Sequence, residues 1–232
     1  MSLYLTLLIL SIIFPLVLSF DRKVAFYRHW PALFPSLVVT GALFIIFDIY
    51  FARQGIWGFN PRYHSGIVIA DLPLEEWLFF IVIPYASIFI HYVIIAYFPK
   101  AFFSDRTSII ITVVLISVLI LGVIVNLQEA YTLVYFSAMI IVLSVAVLAN
   151  SDLLKKFYIT FLVILIPFSI INGILTGSFI ADEVVWYNRR EITGLRIFTI
   201  PVEDFTYGFS LILINLLLMN YFRKLFNKNP DN

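Results

Sequence analysis

The chain has 232 residues, of which 62% are hydrophobic and only 12% charged, and its mean hydropathy is +1.02. A soluble domain is nearer half apolar and a quarter charged, so a cytosolic globule, a disordered chain and a nucleic-acid binder are excluded. A net charge of +1 supplies no field for an anionic partner, and the absence of cysteine removes disulfides, thiol catalysis and thiolate metal sites.

An integral membrane protein remains, and its spans can be taken in chain order. A spanning helix needs about 20 mostly apolar residues. Ser2–Phe20, Pro31–Phe51, Pro73–Phe98, Thr107–Leu127, Ala130–Asn150, Phe157–Gly177 and Pro201–Phe222 meet that requirement. The expected fold is all-α, a polytopic membrane protein with seven transmembrane helices. The first helix has no basic residue before it and three soon after, the reverse of a cleavable signal, so it is read as retained. With seven spans, one side holds Arg22, Lys23, Arg28, Lys100, Arg106, Lys155, Lys156, Arg223, Lys224 and Lys228. The other holds Arg53, Arg62, Arg189, Arg190 and Arg196. The excess of positive charge marks the cytoplasmic side. The expectation is therefore a plasma (inner) membrane protein with its N-terminus outside and its C-terminus in the cytoplasm.

Two connections are long, Ala52–Leu72 and Ser178–Ile200, and both fall on the outer side. They carry one pattern. Phe59 to Trp77 reads FNPRYHSGIVIADLPLEEW, and Tyr187 to Phe205 reads YNRREITGLRIFTIPVEDF. Without gaps, Asn60 matches Asn188, Arg62 matches Arg190, Gly66 matches Gly194, Pro73 matches Pro201 and Glu75 matches Glu203. Glu76 faces Asp204, and Trp57 and Trp186 sit just upstream, offset by one. Apolar matches would be cheap in this chain; these are not. Each motif joins the second and third spans of a three-helix unit. The expected organisation is two parallel three-helix repeats, residues 1–98 and 129–222, joined by a linking helix at 99–128 and followed by a polar tail at 223–232. A shared site at the repeat interface is the natural consequence.

Proline favours a helix start, so Pro73 and Pro201 should open their helices with Glu75, Glu76, Glu203 and Asp204 in the first turn. One reading is helix capping at the positive end of the dipole, worth about 0.3–1 kcal/mol, with Arg62 and Arg190 as neutralising partners. The other is acid chemistry, in which paired, desolvated carboxyls keep one proton available for donation. Phe79 and Tyr207 follow Glu75 and Glu203 by one turn on the same face. An acid above an aromatic ring suits a reaction that makes a carbocation, because the ring face stabilises the charge. Most aromatic residues of so aromatic a chain are nonetheless packing or lipid-facing. Asn215, eleven residues after Asp204, shares its face. Asp48, near the outer end of the second span, is a functional candidate as an intramembrane acid. Asn172 lies inside the sixth span, and His91, toward the opposite interface, is given a structural role.

No cofactor or metal is expected. The nine glycines form no dinucleotide fingerprint, and there is no P-loop, HExxH or His-rich cluster. The last span holds no lysine for a retinal Schiff base. The arginine that membrane CAAX-type proteases place after a Glu-Glu pair is Phe80 here.

The segment GIWGFNPRYHSGIVIADLPLEEWLFF, with VVWYNRREITGLRIFTIPVEDFTYG, resembles the lycopene cyclase domain of the small, flavin-independent type. In that family the two halves occur as separate subunits or fused, and this chain resembles the fused form over essentially its whole length. The resemblance implies a lycopene β-cyclase acting in carotenoid biosynthesis. It implies cofactor-free, acid-catalysed closure of the ψ ends of lycopene, first to γ-carotene and then to β-carotene. Its implied partners are lycopene or a related carotenoid and the lipid bilayer. It makes Glu75, Glu76, Glu203 and Asp204 the catalytic acids, with the identical positions Glu75 and Glu203 favoured as proton donors. Asn60, Arg62, Asn188 and Arg190 would position and tune them. The rival readings are a cyclase of another polyene, such as a C50 carotenoid, and a non-catalytic carotenoid-binding, lipid-binding or transport protein.

Overall fold

The computed structural model describes residues 1–227; the end of the expected polar tail, with Lys228, lies outside the described residues. The chain is mostly helical. Its first helix, α1 (Leu3–Leu18), is capped by Ser2, whose hydroxyl accepts from the Leu5 amide. A short 3-10 helix (Phe26–His29) leads into α2 (Trp30–Gln54), which carries Pro31 in its first turn and stops at Gly55 with φ +66°, where the left-handed backbone favours glycine. After the first motif loop come α3 (Leu74–Tyr97), then α4 (Asp105–Val125) and α5 (Ala130–Leu175). The second motif loop leads to α6 (Val202–Asn227).

Among the described residues, five helices are long and apolar enough to cross a membrane: Phe26–Gln54, Leu74–Tyr97, Asp105–Val125, Ala130–Leu175 and Val202–Phe226. This differs from seven expected spans in two places. Helix α1 has 16 residues, a rise of about 24 Å. Helix α5 runs for 46 residues through both the fifth and sixth expected spans. Its backbone leaves helical geometry at Asn150 (φ −163°, ψ 76°), where the Asn150 side chain accepts from the Leu153 amide and starts the next helical stretch.

The long loops are not wholly irregular. Strands β1 (Trp57–Phe59) and β4 (Val185–Tyr187) pair antiparallel, joining the two motif loops, with Gly58 opposite Trp186. Two hairpins lie beside this ribbon: β2 (Val68–Ile69) with β3 (Leu72–Pro73), and β5 (Arg196–Ile197) with β6 (Ile200–Pro201). A purely helical expectation misses these strands. Backbone polar groups packed on an apolar bundle must find partners, and short ladders provide them.

Many contacts recur at a spacing of 128 residues. The Asn60 amide donates to the Val184 carbonyl, and the Asn188 amide to the Ile56 carbonyl. The Leu74 amide donates to Ile67, and the Val202 amide to Leu195. Gly66 and Gly194 both take positive φ, +85° and +74°. Pro73 and Pro201 end the hairpins just before α3 and α6, so both acid pairs fall in a first helical turn.

One buried cluster lies toward the motif loops, including Tyr4, Phe44, Trp57, Phe80 and Tyr135. The other lies toward the far end, including Leu33, Ile88, Leu143, Phe157 and Phe209. Large apolar side chains also face outward around the bundle, among them Phe14, Val38, Leu121, Leu148 and Ile166. A surface of this kind suits hydrocarbon rather than water. Helix α4 packs on α5 and is otherwise largely exposed.

Candidate active site

The four motif acids divide by the direction they face. Glu75 and Glu203 turn back into their own loops. Glu75 accepts from the Ser65 amide at 2.6 Å, the Ser2 hydroxyl at 2.7 Å and the Ser65 hydroxyl at 3.1 Å. Glu203 accepts from the Thr193 amide and the Thr132 hydroxyl, both at 2.7 Å. Each ties a motif loop to the helix that begins a half of the chain. The two positions that the sequence favours as proton donors are thus each tied into a motif loop.

Glu76 and Asp204 point instead into one cavity of about 500 Å³. Both are buried. Tyr4 donates to Glu76 at 2.6 Å. Asp204 accepts from Tyr131 at 3.0 Å, from Tyr187 at 2.9 and 3.0 Å, and from the Asn172 amide group at 2.8 Å. Burial, with Asp204 beside it, pushes the Tyr187 hydroxyl well above the ordinary tyrosine range, so Tyr187 stays a hydrogen-bond donor. Trp57, Phe79 and Tyr207 supply aromatic walls. The remaining wall, from α1, α3, the second half of α5 and α6, is mostly apolar, with Ser11 and Ser87 in it.

Asp48 lies behind this wall. It is fully buried and accepts from Tyr135 at 3.0 Å and from Tyr207 at 3.3 Å. It therefore orients the Tyr207 ring without lining the cavity itself.

The sequence of the lycopene cyclase family matches residues 1–94 and 128–222, in two blocks that leave out α4. The chain belongs to the lycopene cyclase family. No curated protein and no solved structure matches it.

For a lycopene cyclase, several expected partners of the acids lie elsewhere. Arg62 turns outward to Asp182 at 3.0 Å, and Arg190 is exposed. A buried carboxyl can be satisfied by phenols and an amide without desolvating a guanidinium, and that is the arrangement here. Asn60 and Asn188 shape the loops: their side-chain oxygens accept from the Arg62 and Arg190 amides, both at 3.1 Å. Trp186 is partly exposed and lies across Gly58. Asn215 is buried and donates to the Leu211 carbonyl of its own helix. His91 meets the Thr160 hydroxyl at 2.8 Å, away from the cavity.

The residues that sequence reasoning missed are the phenols. Tyr4, Tyr131, Tyr135 and Tyr187 read as ordinary aromatic residues in an aromatic chain. A signal existed: Tyr4 and Tyr131 each stand near the start of a helix that opens a half, and each donates to the second acid of a motif.

Proposed function

We propose that the chain is a lycopene β-cyclase whose reacting acids are Glu76 and Asp204. The observation that carries this reading is that both acids, one from each motif, face a single apolar chamber with aromatic walls. Glu76, which accepts from the Tyr4 phenol and from no other side chain among the described residues, is the proton donor. Its proton adds to the terminal double bond of the ψ end and leaves a tertiary cation. The neighbouring double bond attacks, a six-membered ring closes and the charge moves onto the ring. Asp204, fixed by Tyr131, Tyr187 and Asn172, faces the cation as its counter-charge. A ring proton is then lost to a carboxylate and the β end forms. One proton enters and one leaves, so the reaction is an isomerisation and calls for no redox group. A desolvated cation over an aromatic face gains about 2 kcal/mol, the role given to Phe79, Tyr207 and Trp57. The β product is taken from the chain's resemblance to the fused form.

The same reading includes two parallel three-helix units, residues 1–98 and 129–222, linked through α4, and seven crossings with α1 and both stretches of α5 counted as spans. Contacts recurring at 128 residues and the two-block family match support it. The motif loops and the N-terminus then lie outside the plasma membrane and the C-terminus inside.

Expression of this chain alone in a bacterium that accumulates lycopene tests the activity. Chromatography of the pigments should show β-ringed carotenoid. Unchanged lycopene beside a folded, membrane-inserted chain would overturn the reading.

A further inference from the structure

The open space does not end with the reaction chamber. A second cavity of about 440 Å³ adjoins it. Phe89 and Ile90 on α3 belong to both walls, so the two spaces meet on that helix. The facing helix agrees. The second half of α5 lines the second cavity with Ile159 and Val163, and the chamber with Ile164 and Pro167 of the next turn. Along both helices the walls run on without a gap.

The two spaces differ in chemistry. The acids, the phenols bound to them and Asn172 stand at the motif end of the chamber. Every side chain around the second cavity is apolar. A hydroxyl or charge placed there would lose its water without gaining a partner from the wall, so the space suits plain hydrocarbon. Phe98 and Ala101, from the turn after α3, form its far end. The Phe103 amide ties that turn to α5 through the Lys155 carbonyl, at 3.3 Å. Val163 and Phe98 are also exposed on the bundle surface, so a rod can enter the groove from the lipid side.

Length decides what the groove can hold. The chamber alone, from Glu76 to Ile90, follows α3 for about 21 Å at 1.5 Å per residue. With the second cavity the groove follows α3 from Glu76 to Phe98, about 33 Å. A lycopene rod is about as long as the ~30 Å hydrocarbon core. A full-length polyene with one end at Glu76 therefore outgrows the chamber and fits the joined groove.

We infer that the second cavity is a binding subsite for the distal part of the polyene, and that Val93, Ile94, Ile159 and Val163 make the enzyme select long acyclic carotenoids over shorter ones with the same reacting end. This rests on the cyclase reading. Val93 stands about 26 Å along α3 from Glu76, too far to touch the reacting atoms. The subsite acts on the reaction by fixing the rod lengthwise, which holds the ψ end at the acid.

The test compares lycopene with an apo-lycopenoid that keeps one ψ end and is cut to fit the chamber alone. Both are presented to the full chain in liposomes at equal mole fraction. V93W and V163W narrow the second cavity from its two walls. Each should lower the ratio of kcat/KM for lycopene to kcat/KM for the short substrate about tenfold. In folded variants, an equal effect on both substrates, or none on either, would overturn the inference and leave the second cavity to a lipid tail. A measurement on the unaltered chain covers the case of a variant that folds poorly. Across a series of apo-lycopenoids of rising length, kcat/KM should rise about tenfold once the chain outgrows the chamber, and level off at full length. A flat series would overturn the inference and leave the cyclase reading intact. No ring formed from lycopene or from any shorter substrate would overturn both.

Discussion

A carboxyl group buried in an apolar bundle is costly unless it is hydrogen-bonded, and its partners point to its work; Glu203 is bonded through Oε1, while its Oε2 is buried without a partner among the described residues. Glu75 and Glu203 are bound by loop amides and hydroxyls, which hold chain segments together. Glu76 and Asp204 are bound by phenols and an amide side chain at the edge of a cavity. We therefore expect E75Q and E203Q to act on stability. Each weakens charge-assisted bonds worth about 1.5–3 kcal/mol, so the unfolding temperature of the purified chain should fall. Ring formation per folded molecule should stay within about threefold, as no reacting group is removed. An inactive E75Q with an unchanged unfolding temperature would contradict this division. Y187F removes one donor from Asp204 while keeping the ring, and should slow ring formation about tenfold with the amount of protein in the membrane unchanged. Tyr187 remains a phenol through the ordinary tyrosine range, so activity should show no loss from its ionisation below about pH 10.

Elements were legible in proportion to how long a signal they carry. Apolar runs marked the helices, and the proline-acid pairs marked where α3 and α6 begin. The paired loops were visible as a motif because Asn, Arg, Gly, Pro and Glu matched in register. Their strands were not visible, since two or three residues are too few for an alternating pattern to register. The β1–β4 ribbon joins residues more than a hundred positions apart, a contact no local pattern encodes. The phenols were hidden for the opposite reason: thirteen tyrosines make any one of them unremarkable in sequence. At Gly58 the ribbon leaves no room for a side chain, because an added Cβ would lie 2.5 Å from the Trp186 indole. G58A should displace Trp186 and the neighbouring Tyr187, and so lower activity more than stability. Activity and unfolding measured on the same preparation check this. In α5 the Asn150 side chain caps the second stretch. N150A should cost about 1 kcal/mol of stability, read by thermal unfolding, and leave the chamber unaffected.

At the scale of the whole molecule, the reading puts both motif loops on one side of the bilayer and most lysines and arginines on the other. The chain has no cysteine, so a single introduced one reports its side without background. R190C should react with an impermeant thiol reagent from outside intact cells, and R106C only after the membrane is opened. The reverse pattern would invert the orientation and leave the chemistry untouched. On the proposed mechanism the chemistry depends on two side chains reaching one chamber. Its most direct measurement is ring formation from lycopene by E76Q and D204N, beside the unaltered chain, at equal amounts of membrane-inserted protein. Loss of general-acid chemistry predicts a fall of about a hundredfold or more in E76Q. The loss of the counter-charge in D204N should be at least about tenfold. Full ring-forming activity in both variants would contradict the account.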